Sequence, residues 1–362
     1  MSLNNNCAII VGARPNFIKL APFIKKAKNY PEFKFKIIHT GQHFDKNMSD
    51  IFFNEMEIPK PDIQLDINGK YYTEKMGKMF NALKKVFNEN NFDSVIVFGD
   101  VNSTLAGAIA AVKNNCKIIH IESGLRSYDR RMPEEINRVI VDHLSDILFT
   151  TEPAANHNLY LEGVEKEKIK YVGNIMVENI ELFWNKFMKS KIVDDLNIKE
   201  KKYIVTTVHK LKNTDDPKNL KKILKIINNI SKNYKIIFPI HPGTRKKIYN
   251  YNLENYLKNI TVIEPLGYFD FMKLVISSKG VIGDSCGIQD ETSHLGVSCC
   301  TLNNNTERPI TIELGSNKLF NINNLIIDDL IDHLNNDFKS KHIKYWDDKV
   351  SERIFKALQN EL

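Results

Sequence analysis

The sequence predicts an α/β protein built from two Rossmann-like, doubly wound domains that face a cleft. Three observations carry that expectation. Short apolar runs alternate with helix-spaced apolar patterns along the 362 residues. The alternation lapses and then restarts, with the junction in 170–200. Most of the strand-like runs end in a polar cluster, which suits sheets that bind ligands at the carboxyl ends of their strands.

In the first half, the runs 7–11, 35–39, 95–98 and 118–121 read as buried strands, and 17–26 and 105–113 read as helices. In the second half, strands are expected over 203–208, 235–239, 260–263, 281–283 and 298–302. The lysine-rich segment from Lys186 to Lys202 resembles a helix and a loop. A final helix over 349–362 is placed to cross back to the first half. The expected domains are therefore 1–170 joined by 345–362, and 171–344. At roughly 100–200 residues per domain, two domains suit the length, and each half can bury its own core.

Composition narrows the function classes. The chain is 42% hydrophobic and 26% charged, as a globular protein should be. Its net charge of +7 comes from lysines spread along the chain, with no basic helix or aromatic-interleaved patch, so a nucleic-acid platform is not expected. The start, MSLNNNCAIIVGARP, lacks the basic end and apolar core of a signal peptide, and no run approaches membrane-spanning length. A cytoplasmic protein without a membrane partner is the expectation. The five cysteines (Cys7, Cys116, Cys286, Cys299 and Cys300) form no C-x-x-C pair, which argues against a zinc knuckle or redox dithiol.

The polar clusters hold the candidate chemistry. Gly12-Ala13-Arg14-Pro15 and Thr40-Gly41-Gln42-His43 follow the first two strands, and Gly99-Asp100 and Glu122 the next two. His209, His241 and Asp284-Ser285 follow strands of the second half. Each has a plain structural reading. Asp100 suits an Asx turn, Glu134 can pair with Arg138 one helical turn on, and a strand-end histidine can simply be hydrogen-bonded. A zinc site on His120, Glu122 and His143 fails on spacing, because His143 falls about two helical turns beyond Glu134–Arg138. No metal is expected. The turn over 285–287, between an apolar strand and a helix start, presents N–H groups to an anion.

In order, the chain carries VGARPNFIKLAP, TGQH, GDVNSTLA, HIESGLRSYDRRMPEEINR, VGN, FPIHP, PLGYFDF, DSCGIQDET and NNNTERP. Together these resemble the non-hydrolysing UDP-N-acetylglucosamine 2-epimerases, from about residue 8 to residue 320. The resemblance implies a glycosyltransferase-B-like fold and a homodimer, with no metal or nicotinamide cofactor. It implies interconversion of UDP-N-acetylglucosamine and UDP-N-acetylmannosamine, which supplies cell-surface polysaccharide precursors. In that chemistry, UDP is eliminated to a glycal intermediate and then adds back.

Residue by residue, Asp100, Glu122 and Glu134 match the family's candidate acid/base carboxylates, with His209 beside the leaving group. Arg14, His209, Arg308, Ser285, Cys286 and Gly287 match its UDP-binding positions, and Glu291 its ribose reader. Arg138 is expected to orient Glu134 or to contact substrate. Gln42, His43, Lys210 and His241 stand at the positions of an activator site for a second UDP-N-acetylglucosamine. Three departures stand out. Lys210 replaces the arginine of the usual His-Arg pair, Asp290 replaces the commoner Glu, and Cys286 occupies the first glycine of the phosphate turn. A Cβ there can crowd the pyrophosphate and a thiol at a helix N-terminus can acidify, but the expectation is the benign reading, a slight shift of the loop with UDP held through Ser285 and Gly287. The competing readings are an epimerase of a modified UDP-N-acetyl sugar, a glycosyltransferase, and a non-catalytic UDP-sugar binder. Retention of the three carboxylates argues against the last two.

Overall fold

A computed structural model describes residues 5–42, 53–69, 71–338 and 343–362. The chain divides into two compact units, Met1–Leu182 with Lys344–Leu362, and Phe183–Ile343. The first unit holds the strands β1 (Asn5–Val11), β2 (Phe33–His39), β3 (Ile63–Gln64), β4 (Ser94–Phe98), β5 (Lys117–Ser123), β6 (Ile147–Thr150) and β7 (Ile169–Tyr171). The second holds β8 (Tyr203–Thr207), β9 (Lys235–Pro239), β10 (Ile260–Ile263), β11 (Gly280–Gly283), β12 (Ser298–Thr301) and β13 (Asn317–Leu319). Helices connect nearly every consecutive pair.

The two sheets share one plan. The first runs β3-β2-β1-β4-β5-β6-β7 and the second β10-β9-β8-β11-β12-β13, with every strand pair parallel. Both therefore follow the doubly wound order of dinucleotide-binding folds, whose direction reverses beside the first strand. Parallel strands covered on both faces need continuous apolar runs, and the central strands comply: every residue of β4 and β11 is buried. Four strands escape the sequence reading. Those named β3, β7 and β13 are two or three residues long with polar positions, and β6 is a four-residue strand running straight on from a helix.

Helices pack by ordinary amphipathic rules. In Pro217–Ile230, Leu220, Ile223, Leu224, Ile227 and Ile230 form the buried stripe. Asp216 caps the helix by accepting from the Lys218 amide at 2.8 Å. The small-residue helix Asn102–Val112 lies so close to β1 that a Cβ at Gly107 would come within 2.9 Å of Ile10. The terminal helix Val350–Glu361 belongs to the first unit. Phe355 stacks on Phe23 and on Tyr30, with ring centroids 4.7 and 4.4 Å away. Trp346 donates to the Thr151 carbonyl at 3.0 Å.

A buried carboxyl also anchors that helix. Glu178 Oε2 accepts from the Ser351 amide at 2.7 Å and from its hydroxyl at 2.6 Å. Burial pushes Glu178 up to about 7, and the two Ser351 bonds only partly offset that. Because the folded state holds this proton more tightly than the unfolded chain, Glu178's contribution is complete below about pH 4.5 and is lost as pH rises through about 7. The loss is at most on the order of 3 kcal/mol. Glu178→Gln keeps an oxygen for Ser351 without the titration. Thermal unfolding of the variant should therefore lack the wild-type decline between pH 5 and 8, and identical profiles would refute the assignment.

Candidate active site

In each sheet the strand order reverses beside the first strand, between β1 and β4 and between β8 and β11. The turns after these strands hold the candidate residues. At Gly12, a Cβ would come within 2.1 Å of the hydroxyls of both Ser103 and Thr40, so only glycine fits. The Gly12 and Ala13 amides donate to Asn16 Oδ1 at 3.1 and 3.2 Å, and Asn16 Nδ2 donates to the Phe98 carbonyl. These amides are thus engaged within the unit. Arg14, half-buried, opens the following helix. Gln42 Oε1 accepts from the amide and hydroxyl of Ser103 at 2.9 and 2.7 Å, at the start of the helix Asn102–Val112. His43 lies outside the described residues.

Glu122 sits near the end of β5 with φ +69, where the β5–β6 register shifts between Ile121 and Ser123. For a residue with a Cβ, that left-handed conformation costs about 1–2 kcal/mol. Its carboxylate is buried and meets Lys19 Nζ at 2.6 Å, with both side chains almost fully covered. Gly99, at φ +59, makes room: a Cβ there would stand 2.8 Å from Lys19 Nζ and 3.2 Å from Glu122 Oε1. Lys19 is absent from the sequence-based site. Its signal was a lysine between Ile18 and Leu20 on a helix whose neighbours are buried.

The neighbouring Asp100 is bonded by Arg138 Nη2, and Arg138 Nη1 donates to Glu135 Oε2 at 2.6 Å. This corrects the expected Glu134–Arg138 pairing. Consecutive helical residues point about 100° apart, and Glu135, three before Arg138, shares its buried face. Glu135 also accepts from the Ser127 and Tyr128 amides at 2.9 and 2.8 Å. Glu134 is exposed in the first turn of its helix.

In the second unit Asp284, fully buried just past β11, organises the turn after β8. It accepts from the His209 and Lys210 amides at 3.1 and 3.0 Å and from Asn213 Nδ2 at 2.9 Å. The exposed His209 ring stands with Nδ1 3.6 Å from Asp284 and its centroid 6.4 Å from that of His241. His241 Nδ1 caps its own helix by accepting from the Gly243 amide at 3.1 Å. The sequence reading placed Asp284 in the polar cluster after its strand but gave it no role, because an Asp at a strand end reads as an ordinary turn former.

Residues 285–287 are half-buried, and the space around a Cβ at Gly287 is open to 4 Å. The helix Gly287–Leu295 therefore begins at an accessible N-terminus. Inside it, Asp290 is fully buried and ion-paired with Arg308, Nη1 lying 2.7 Å from Oδ2, so Arg308 is shared with a carboxylate. Glu291 accepts from the Tyr268 hydroxyl at 3.0 Å. Cys286 meets Lys210 Nζ at 2.6 Å. The acidification that a helix N-terminus can bring is absent. Burial and the nearby Glu307 push the Cys286 thiol up to about 12, outweighing Lys210. Lys210 itself is shifted upward: burial opposes its charge, but Cys286, Glu307 and Asp284 favour it.

Among the described residues, no group of three or more His, Cys, Asp and Glu side chains is placed to hold a metal ion. His143 Nδ1 bonds its own helix at the Val139 carbonyl, 2.8 Å away. No helix of the described residues is long and apolar enough to cross a membrane.

Comparison with known proteins agrees with this architecture. The family model described as UDP-N-acetylglucosamine 2-epimerase matches residues 25–359. A UDP-N-acetylglucosamine 2-epimerase homolog of Methanococcus maripaludis is 42% identical, over 97% of this chain and 98% of its own. A Pseudomonas aeruginosa UDP-2,3-diacetamido-2,3-dideoxy-D-glucuronate 2-epimerase is 40% identical over 86% of each. The crystal structure of the Methanocaldococcus jannaschii UDP-GlcNAc 2-epimerase in complex with UDP-GlcNAc and UDP superposes with TM-score 0.89 at 38% identity, covering 98% of this chain and 99% of that one. A structure of Phytolacca americana UGT2, 11% identical over 99% of this chain and 94% of its own, shares the fold at TM-score 0.57. With the family model spanning nearly its whole length, the chain belongs to the UDP-N-acetylglucosamine 2-epimerase family.

Proposed function

We propose that this protein interconverts UDP-N-acetylglucosamine and UDP-N-acetylmannosamine without releasing the free sugar. The observation that carries the reading is the pair of carboxylates at the first unit's switch point, Glu122 against Lys19 and Asp100 against Arg138. A buried cation fixes each, which suits acid/base groups that must be held rigidly. The exposed Glu134 supplies the third. In the forward reaction one carboxylate takes the carbon-2 proton, and that electron pair becomes the carbon 1–carbon 2 double bond. The carbon 1–oxygen bond breaks, and its pair leaves with UDP. Re-addition reverses both changes, with the proton delivered to the opposite face.

The second unit takes the nucleotide in this reading. The accessible helix N-terminus at 285–287 offers amides to the diphosphate, and His209 and Arg308 add donors, while Arg14 is carried as a UDP-binding residue by resemblance alone. Glu291, oriented by Tyr268, accepts from ribose hydroxyls. A thiol that stays protonated at Cys286 adds no negative charge beside the diphosphate. A second reading, epimerisation of a modified UDP-N-acetyl sugar, is favoured by the 40% identity to the Pseudomonas enzyme. We place the reaction in the cytoplasm, consistent with five free thiols.

We carry a homodimer and an activator site as parts of the same proposal. Ile136 and Ile140 stand exposed on one helix, and Val112 is exposed on the helix packed against it, which suits a covered apolar face. Gln42, His43, Lys210 and His241 mark the activator positions by resemblance.

Five measurements test these points. In deuterium oxide, UDP-N-acetylglucosamine should epimerise with deuterium at carbon 2, followed by NMR; free N-acetylmannosamine plus UDP would mean a hydrolase. Glu122→Gln and Asp100→Asn should each lower turnover about 10²–10⁴-fold with the fold kept, and near-native rates in both would defeat the assignment. Forward kinetics should be sigmoidal, and light scattering should give twice the chain mass; hyperbolic kinetics would remove the activator and a monomer the dimer. Lys210→Arg and Cys286→Gly should each weaken UDP binding, and the double variant should recover it, a coupling of about 1 kcal/mol or more by calorimetry. Strict additivity would show that the two residues act separately.

A further inference from the structure

Glu122 stands in a left-handed conformation at φ +69, and one buried carboxylate meets the side chain of the residue two before it and the amide of the residue two after it. Two residues earlier, His120 is fully buried, with Nε2 2.8 Å from the Gly99 carbonyl. A carbonyl only accepts, so Nε2 donates. His120 Nδ1 meets Asp142 Oδ1 at 2.7 Å. Two residues later, the Gly124 amide donates to Asp142 Oδ2 at 3.1 Å. Gly124 is itself at φ +77, where a Cβ would come within 2.5 Å of the Ala155 carbonyl.

Asp142 is held in turn. Arg126 Nη1 donates to its Oδ2 at 2.6 Å, while Arg126 Nε and Nη2 grip both oxygens of Glu162 at 2.7 and 2.6 Å. Burial opposes a charge on Asp142, but His120 and Arg126 outweigh it and hold the carboxyl below its usual range. A buried ion network is costly and is weak evidence of added stability. What this one does geometrically is specific. It joins the residues flanking Glu122 to the end of β4 through Gly99, the residue before Asp100.

We propose that the Asp142–His120 pair is a positioning device that keeps residue 122 in its strained conformation, so that the Glu122 carboxylate stays on Lys19 beside Asp100. Without it, the strand relaxes toward regular extended geometry. Because strand side chains alternate between faces, such a shift turns the carboxylate away from Lys19. Asp142 and His120 touch no reacting atom in this scheme. The proposal rests on the reading of Glu122 as an acid/base group.

The test has a kinetic arm and a strain arm, both on the full chain. Asp142→Asn, with His120→Gln as a second variant should the first fail to fold, is compared with wild type for kcat, KM, UDP affinity and deuterium uptake at carbon 2. Per folded molecule, kcat and deuterium uptake should fall together by about 100-fold, while UDP affinity stays within twofold. Loss of activity only in proportion to unfolded protein, or an equal change in UDP affinity, would overturn the proposal. In the strain arm, Glu122→Gly should melt higher than Glu122→Ala when Asp142 is present, because glycine relieves the positive φ. The difference should vanish beside Asp142→Ala, and its persistence there would also overturn the proposal. If wild type takes up no deuterium at all, the epimerase reading fails, and the strain arm still judges the clamp.

Discussion

Parallel strands end with amides and carbonyls that no neighbouring strand takes up, and the rest of this protein follows from how those groups are satisfied. At the reversal of strand order in each sheet, the turns cannot be covered by further strands, so buried polar side chains do the work. Asn16 closes the turn after β1 and reaches the end of β4. His120 closes the end of β4 from β5. In the second unit, Asp284 past β11 collects the amides after β8. Each such side chain ties two strand ends together and so restrains the turns that hold the candidate residues.

Burial then dictates pairing of the charges. An isolated ion in these positions would cost several kcal/mol, so each comes with a partner. Glu122 has Lys19, Arg138 holds both Asp100 and Glu135, and Arg308 is set against Asp290. The pairing also divides labour along the helix that begins at Pro133. Glu135 is consumed in fixing Arg138 and the 127–128 backbone, which leaves Glu134, one position earlier, facing outward. Two adjacent glutamates thereby acquire unlike environments from nothing more than the 100° step of the helix.

The central strands were legible because burial on both faces forces unbroken apolar runs, and the polar clusters after them supplied the candidate site. The short strands β3, β7 and β13 were not, since at two or three residues they carry no pattern to read. Within the candidate site, motif spacing led to Asp100, Glu122 and the Asp284-Ser285 turn. It could not resolve which glutamate faces Arg138, because that choice turns on one residue of helical phase. Nor could it find Lys19, whose partner lies 103 residues away. Long-range pairs of this kind become visible only when the chain is folded.

The departures from the family pattern make the same point in another form. Along the chain, Lys210 for arginine and Cys286 for glycine look like separate liabilities, 76 residues apart. In the fold they are one feature, an ammonium 2.6 Å from a sulfur at the head of a helix. The planar five-donor fork of arginine is bulkier than a single ammonium, and a glycine in place of Cys286 would leave room for it. With Cys286 present, Lys210 occupies the space beside Sγ, and its positive charge stays at the helix N-terminus, where the helix dipole already favours an anion. The substitution therefore conserves the charge of the turn while changing its shape, so an unusual thiol at the head of this helix does not reverse the electrostatics of the turn.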